Sequence, residues 1–289
     1  MGAVEARLET QASVAPLARR RDPGTWIAYL ALTVGTVIVA FPLYWMIASA
    51  LKSPIDLFDL RLVPSHPTLD NFGEVLTRTQ FPRWFGNSLV VALITTVSVA
   101  FFDSLVGYTL AKLRFPGRGL IFVMILATLM IPTEMLVIPW YIMSSAYGWI
   151  NTYWGIMFPG LISAFGIFLI RQFMSGVPDE LLDAGRIDGV SEFGLYWRIA
   201  LPLIKPAIAA LCIFTFLGNW NAFLWPLIVI QKANMRTLPV GIALFSGEAG
   251  SSWHLIMAAS ALAVLPVLAV FAILQRQIIE GVTLTGLRG

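Results

Sequence analysis

The chain has 289 residues, 58% of them hydrophobic and only 12% charged, where ordinary soluble domains carry roughly a quarter charged residues. That balance points to an integral membrane protein and away from a soluble enzyme, while the +3 net charge is spread through loops rather than gathered in a stripe, which gives no footprint for a nucleic-acid partner. Cys212 is the single cysteine and His66 and His254 are the two histidines, so an intrachain disulfide is excluded and no metal-binding set is evident.

At the N-terminus, Arg19-Arg20-Arg21 precedes an apolar run far longer than a signal-peptide core and without a small-residue cleavage site. It reads as a retained first span, 26–51, behind a loosely ordered cytoplasmic tail, 1–24. A helix needs about 20 apolar residues to cross the hydrocarbon. Further spans are expected at 84–111 and 119–144, broken only by Asp103 and Glu134. The run 135–170 is too long for one crossing. Its polar centre, Ser144 to Thr152, is a turn, so a fourth span follows to Ile170. The fifth and sixth are expected at 206–231 and 255–275.

Between the first two spans, 52–83 is rich in Pro, Asp and Asn. One or two short surface helices are expected there, capped by Thr68 or Asp70. Arg114-Phe-Pro-Gly-Arg118 is a basic turn. With the N-terminus inside, the basic residues favour the inner loops over the outer ones by about two to one. The inner set includes Lys112, Arg114, Arg118, Arg171, Arg186, Arg198 and Lys205; the outer set is Lys52, Arg61, Arg78, Arg83, Lys232 and Arg236. Trp84, Trp140, Trp149, Tyr153 and Trp253 fall near span ends, where amphipathic rings settle without any ligand.

The polar segment Pro178 to Pro202, between the fourth and fifth spans, carries dense local signals. Pro178 suits a first helical position, Asp179 and Glu180 complement the positive end of the helix dipole, and Gly189 can close the helix in a left-handed conformation. Ser191 offers the cap of a second piece running through Phe193, Tyr196 and Trp197. The reading is helix, turn, helix on the inner surface. An interfacial helix on lipid headgroups would favour Lys and Arg on its polar face, and this one is mainly acidic.

Arg186-Ile-Asp-Gly189 followed by Leu201-Pro202 resembles the cytoplasmic loop of ATP-binding-cassette importer permeases of the maltose type. Ser49-Ala-Leu-Lys52, Asn87-Ser88, Phe115-Pro-Gly117, Ile131-Pro132, Trp220-Asn221, Thr237-Leu-Pro239 and Gly281-Val-Thr283 are similar to motifs of the same family in the same order. The resemblance implies an all-α fold of six transmembrane helices in 25–289, with a cytoplasmic coupling helix between the fourth and fifth, inside the loop 175–205. It also implies a second permease, two ATPase subunits that hold ATP and Mg, an extracytoplasmic solute-binding protein, and a bacterial or archaeal plasma membrane with both termini cytoplasmic. Carried onto this chain, the ATPase-coupling residues are Glu180, Leu182, Asp183, Ala184, Gly185, Arg186, Asp188 and Gly189, with Leu181 and Ile187 adding apolar anchors. Asp183-Ala-Gly185 departs from the family's Glu-Ala-Ala, and Gly185 costs roughly 1 kcal/mol of helix propensity against alanine, which predicts a soft coupling helix.

Ionisable groups within a span are expensive and default to functional or interhelical roles. Asp103 either lines the pathway or pairs with a hydroxyl or amide of a neighbouring helix. Glu134 follows Pro132, where freed carbonyls mark a kink along the cavity. Asn219 and Asn221 offer hydrogen bonds to sugar hydroxyls and Trp220 a stacking face; the alternative is interhelical hydrogen bonding and aromatic packing by the same residues. No Gly-x-x-x-x-Gly-Lys-Ser/Thr loop is present, so ATP hydrolysis belongs to a partner and the chain itself binds no cofactor and is no enzyme. The expected cargo is a sugar or oligosaccharide, with glycerol-3-phosphate or a polyol as the alternative. An ion-coupled secondary transporter would call for internal repeats, and none is seen.

Overall fold

The computed structural model describes residues 23–245 and 252–286, with side chains from 25 to 275 outside the gap. The expected tail lies outside the described residues except for Pro23 and Gly24, as does the Leu287-Arg288-Gly289 end. All regular elements among the described residues are helical; one isolated bridge joins Lys52 and Pro67. Contacts divide the chain into two units, 1–45 and 46–289.

Helix α1, Pro23–Ala50, is the first span and carries Pro42 inside it. Beyond it the chain folds back. Asn71 donates to the carbonyls of Ala50 and Lys52, both at 2.8 Å, and the buried Lys52 ammonium donates to the Asp59 carbonyl. These bonds seat α2, Asp70–Arg78. The cap position of α2 is Leu69, with no side-chain cap bond, so neither Thr68 nor Asp70 is the cap that the sequence suggests: Asp70 is the first helical residue, and Thr68 accepts its N–H at 3.1 Å in a turn just ahead of the helix.

Helix α3, Phe81–Lys112, is the spine of the second unit. At 1.5 Å per residue its 32 residues span about 48 Å. Val91, Thr95, Val99, Asp103 and Gly107 recur every fourth residue on its buried face, a stripe that meets two neighbours. Those neighbours are α7, Ala164–Ser175, and α10, Lys205–Trp220. A side chain at Gly107 would strike Ile170 at 2.8 Å, so the glycine sets the α3–α7 approach.

Three spans are bent or broken. The third, expected as one helix, is α4, Arg118–Thr128, then a turn of 3-10 helix, Thr133–Leu136, leading into α5, Val137–Ala146; the two arms meet at 90°. Pro132 sits at that break and has no N–H to continue the ladder. The fourth is α6, Tyr153–Met157, extended to Gly160 and bent by 42° against α7. Thr152 caps α6 and Ser163 caps α7, each hydroxyl accepting from the N–H three residues on. The fifth, expected unbroken to residue 231, stops at Trp220, and a short α11, Leu224–Val229, follows. Helix α12, Leu238–Leu244, and the last span α13, Trp253–Gly286, complete the chain. Counting each bent pair once, with α10 joined to the helical segment Glu192–Leu203 before it, gives up to six crossings among the described residues.

Between the fourth and fifth spans lie α8, Asp179–Ile187, and α9, Glu192–Leu203, the latter containing a π-helical turn at Tyr196–Ala200 and meeting α10 at 83°. One buried cluster joins these helices to Tyr108, Ile170, Met174 and Leu211; a second, near the other end of α3, gathers Trp84, Phe216, Trp220, Leu238 and Ala258.

Candidate coupling surface and membrane cavity

The N-terminus of α8 differs from expectation by one position. Pro178 is the cap residue, extended at φ −60° and ψ 131°, and Asp179 is the first helical residue. At the other end Gly189 has φ 78°. Its N–H donates to the Arg186 carbonyl and that of Val190 to the Gly185 carbonyl, both at 3.0 Å, the double bond pattern that ends a helix through a left-handed residue. Ser191 caps α9 by accepting from Gly194.

Helix α8 has two faces. Leu182 and Gly185 are buried, and a methyl at Gly185 would sit 2.5 Å from Leu195 Cδ2 and 3.0 Å from Ile199 Cδ1. The glycine therefore lets α8 lie on α9, and the helix is seated on its own chain rather than soft. Leu182 fills the chain's own core and is no anchor for a partner pocket. Glu180, Leu181, Ala184, Ile187 and Asp188 face outward, with Ile187 87% exposed. Leu181 and Ile187 are thus available as apolar anchors.

Charged groups fix α8 from the side. Lys112, at the end of α3, donates to Asp179 Oδ1 at 2.6 Å and to the Val177 carbonyl at 2.5 Å, its side chain only 5% exposed. Arg186 Nη1 donates to Asp183 at 2.6 Å and Nε to Glu192 at 2.7 Å; Tyr108 donates to the same Glu192 at 3.1 Å. The Lys112 hydrogen bond, reinforced by its charge, holds the Asp179 carboxyl below its ordinary range. Glu192 and then Asp183 hold Arg186 more firmly protonated than a free guanidinium. Asp183 and Arg186, expected to meet a partner, satisfy each other. The basic turn after α3 and the α8–α9 pair share one end of the molecule, since Arg114 and Asp179 line the same hollow.

About halfway along α3 lies a cavity of about 430 Å³. It is bordered by Val99, by the α4–α5 break (Leu129, Ile131, Thr133, Leu136), by Trp140, by the α6–α7 break (Gly160, Ile162, Ser163) and by one face of α10 (Phe214, Thr215, Gly218, Asn219). None of its lining residues is ionisable. Asn219 donates one amide hydrogen to the Thr215 carbonyl at 2.9 Å, which leaves its second hydrogen and its oxygen for a guest.

The remaining expected site residues divide. Glu134 is exposed at the break and does not line the cavity. Asn221 donates to the Leu217 carbonyl of its own helix and lies outside the cavity. Trp220 is 2% exposed, stacked on Phe216 at 5.7 Å, edge-on to Phe85 and bonded to the Ala263 carbonyl, so no ring face remains for a sugar. Asp103 takes the interhelical alternative: both carboxylate oxygens accept the Ser163 N–H, at 3.1 and 3.2 Å, at the positive end of α7. Trp140, read as an interfacial ring, lines the cavity. Phe214, Thr215, Gly218 and Asn219 share one helical face, the spacing that marks them in the sequence.

The chain matches the family of binding-protein-dependent transport system inner membrane components over residues 103–283. It is 35% identical to the arabinooligosaccharides transport system permease protein AraQ of Bacillus subtilis, over 93% of this chain and 99% of that one. Identity is 35% to the sn-glycerol-3-phosphate transport system permease protein UgpE of Pectobacterium atrosepticum (88% and 94% covered) and 32% to the lactose transport system permease protein LacG of Rhizobium radiobacter (91% and 96%). The fold is like that of a bacterial ABC transporter involved in the import of the acidic polysaccharide alginate, with a TM-score of 0.78 at 20% identity over 90% of this chain and 98% of that one. The chain is a multi-pass membrane component of a transport system and not an enzyme, and it belongs to the family of binding-protein-dependent transport system inner membrane components.

Proposed function

We propose that this chain is one of two permeases of an ATP-driven importer, that α8 is the coupling helix received by an ATPase subunit, and that the cavity beside Asn219 carries an uncharged sugar or oligosaccharide. On this reading 25–289 is the transmembrane domain, the end bearing α8 is cytoplasmic, and a solute-binding protein delivers cargo at the opposite end. ATP and Mg reside on the ATPase pair. The observation that carries the coupling role is the division of α8: an inner face packed on α9, and an outer face presenting Leu181 and Ile187 to a soluble partner.

The cavity supports the solute class. A phosphate ester calls for Arg or Lys in the pathway, and the lining supplies neither: its side-chain polar groups are the hydroxyls of Thr128, Thr133, Ser163 and Thr215, the Asn219 amide and the Trp140 indole, set among aliphatic and aromatic side chains. Glycerol-3-phosphate is the second reading, favoured by the relatives named for that cargo. The test is reconstitution of the chain with its second permease, ATPase pair and binding protein in proteoliposomes. Uptake of labelled neutral oligosaccharides that requires MgATP and is not displaced by excess glycerol-3-phosphate is the expected result. Uptake that proceeds without the ATPase subunits, or that prefers the phosphate ester, overturns it.

A further inference from the structure

Between Gly160, where α6 and its 3-10 extension end, and the start of α7, the chain is not helical, and Gly160, Ile162 and Ser163 form one wall of the cavity. Two side chains of α3 hold this wall from behind. Ser98 donates to the Leu161 carbonyl at 2.7 Å, and Asp103 accepts the Ser163 N–H on both oxygens, at 3.1 and 3.2 Å. Neither Ser98 nor Asp103 lines the cavity, and Asp103 is fully buried. An ionisable group within a span is costly; the need met here is that of a backbone N–H at a helix start, which has no partner in its own helix. A methyl on Gly166 would overlap Asp103 Oδ2, so that glycine admits the carboxyl to the end of α7. The two ties are about 7.5 Å apart along α3, and together they resist both sliding and pivoting of the wall. The wall in turn runs close to the amide that faces the cavity: a methyl on Gly160 would sit 3.3 Å from Asn219 Oδ1. At such an approach a wall displaced by about 1 Å no longer fits the same guest.

We propose that Asp103, assisted by Ser98, is a positioning residue for solute recognition: by tying residues 161–163 back to α3 it sets the room beside Asn219, and so how long a neutral saccharide the cavity accepts. Releasing the ties lets the wall move away from α3 and toward Asn219. That narrows the cavity and penalises the longer solute first. Asp103 touches no solute in this role, which rests on the assignment of the cavity to a neutral saccharide above.

The experiment reconstitutes the complete transporter in proteoliposomes and measures the uptake ratio of a labelled neutral trisaccharide to the disaccharide one unit shorter, each saturating with its binding protein. This ratio does not depend on how much complex assembles. In Asp103→Ala it is expected to fall about threefold or more, through the difference of affinities that sets specificity. Ser98→Ala moves it the same way by less, and Asp103→Asn, whose amide oxygen still accepts the Ser163 N–H, stays close to wild type. An unchanged or raised ratio in Asp103→Ala overturns the proposal, and equal losses of both solutes identify a purely structural role. An Asp103→Asn shift as large as that of alanine also overturns it, because the hydrogen bond to Ser163 is then not what matters. Should Asp103→Ala fail to assemble, Ser98→Ala decides, and an unmoved ratio there overturns the proposal. Wild type that transports no neutral saccharide removes the cargo reading and the positioning role with it; wild-type transport with unmoved variant ratios removes the positioning role alone.

Discussion

Two glycines of α8 and its C-terminal turn restrict the chain in different ways. Gly185→Ala gains helix propensity of about 1 kcal/mol but drives a methyl into Leu195, and overpacking of this kind costs about 1–3 kcal/mol. The variant is expected to lower the thermal midpoint of the purified complex, and Leu195→Ala in the same chain to restore part of it; a rise in midpoint for Gly185→Ala alone contradicts the packing. Gly189 is different, because nothing lies within 4 Å of a side chain there and only its φ of 78° restricts the choice. Asn tolerates that conformation, so Gly189→Asn leaves the chain folded and inserted while blocking a partner that approaches the backbone. Normal insertion with uptake reduced tenfold or more is the expected outcome; normal uptake removes Gly189 from the contact. The sequence fixes neither distinction alone. The left-handed close at Gly189 is legible from one residue and its neighbours, whereas the role of Gly185 depends on Leu195 and Ile199 arriving from the next helix.

At the scale of elements, α8 is keyed to α3 by Lys112 with Asp179 and by Tyr108 with Glu192 and Arg186. These two ties join α8 to the C-terminal half of α3, and α3 borders the cavity through Val99 and holds the start of α7 through Asp103. Asp179 has a depressed pKa, so its contribution is fully present above the ordinary carboxylate value of about 3.9 and is lost only as pH falls through the lower folded value; the tie is made throughout the physiological range. Asp179→Asn combined with Glu192→Gln is expected to leave ATP hydrolysis by the assembled complex running while uptake per ATP falls several-fold. A parallel loss of both rates shows a folding defect instead, and an unchanged ratio shows that α8 moves α3 by packing alone. The break at Pro132 is legible because proline cannot continue a helix. The stop after Trp220 is legible only in part: Pro226 cannot continue a helix through the carbonyl four residues back, at Ala222, but Asn221-Ala-Phe223 itself contains no breaker that fixes where the helix ends. Asp103 was open to two readings in the sequence, since its partner is a backbone N–H sixty residues away, exposed by the bend between α6 and α7.

At the scale of the molecule, charge is zoned among the described residues: a cavity whose lining carries no ionisable group lies about halfway along α3, and internally matched ion pairs surround α8. Composition and periodicity predict the crossings but not this zoning, because residues such as Asn219 and Asn221 look equivalent until the fold turns one toward the cavity and leaves the other outside it. The zoning makes a prediction about the solute path. Asn219→Leu is expected to lower the maximal uptake rate while leaving the half-saturating concentration of binding protein in place, with Asn221→Leu close to wild type in both. An Asn221 variant as impaired as the Asn219 one contradicts the assignment of solute handling to the neutral zone.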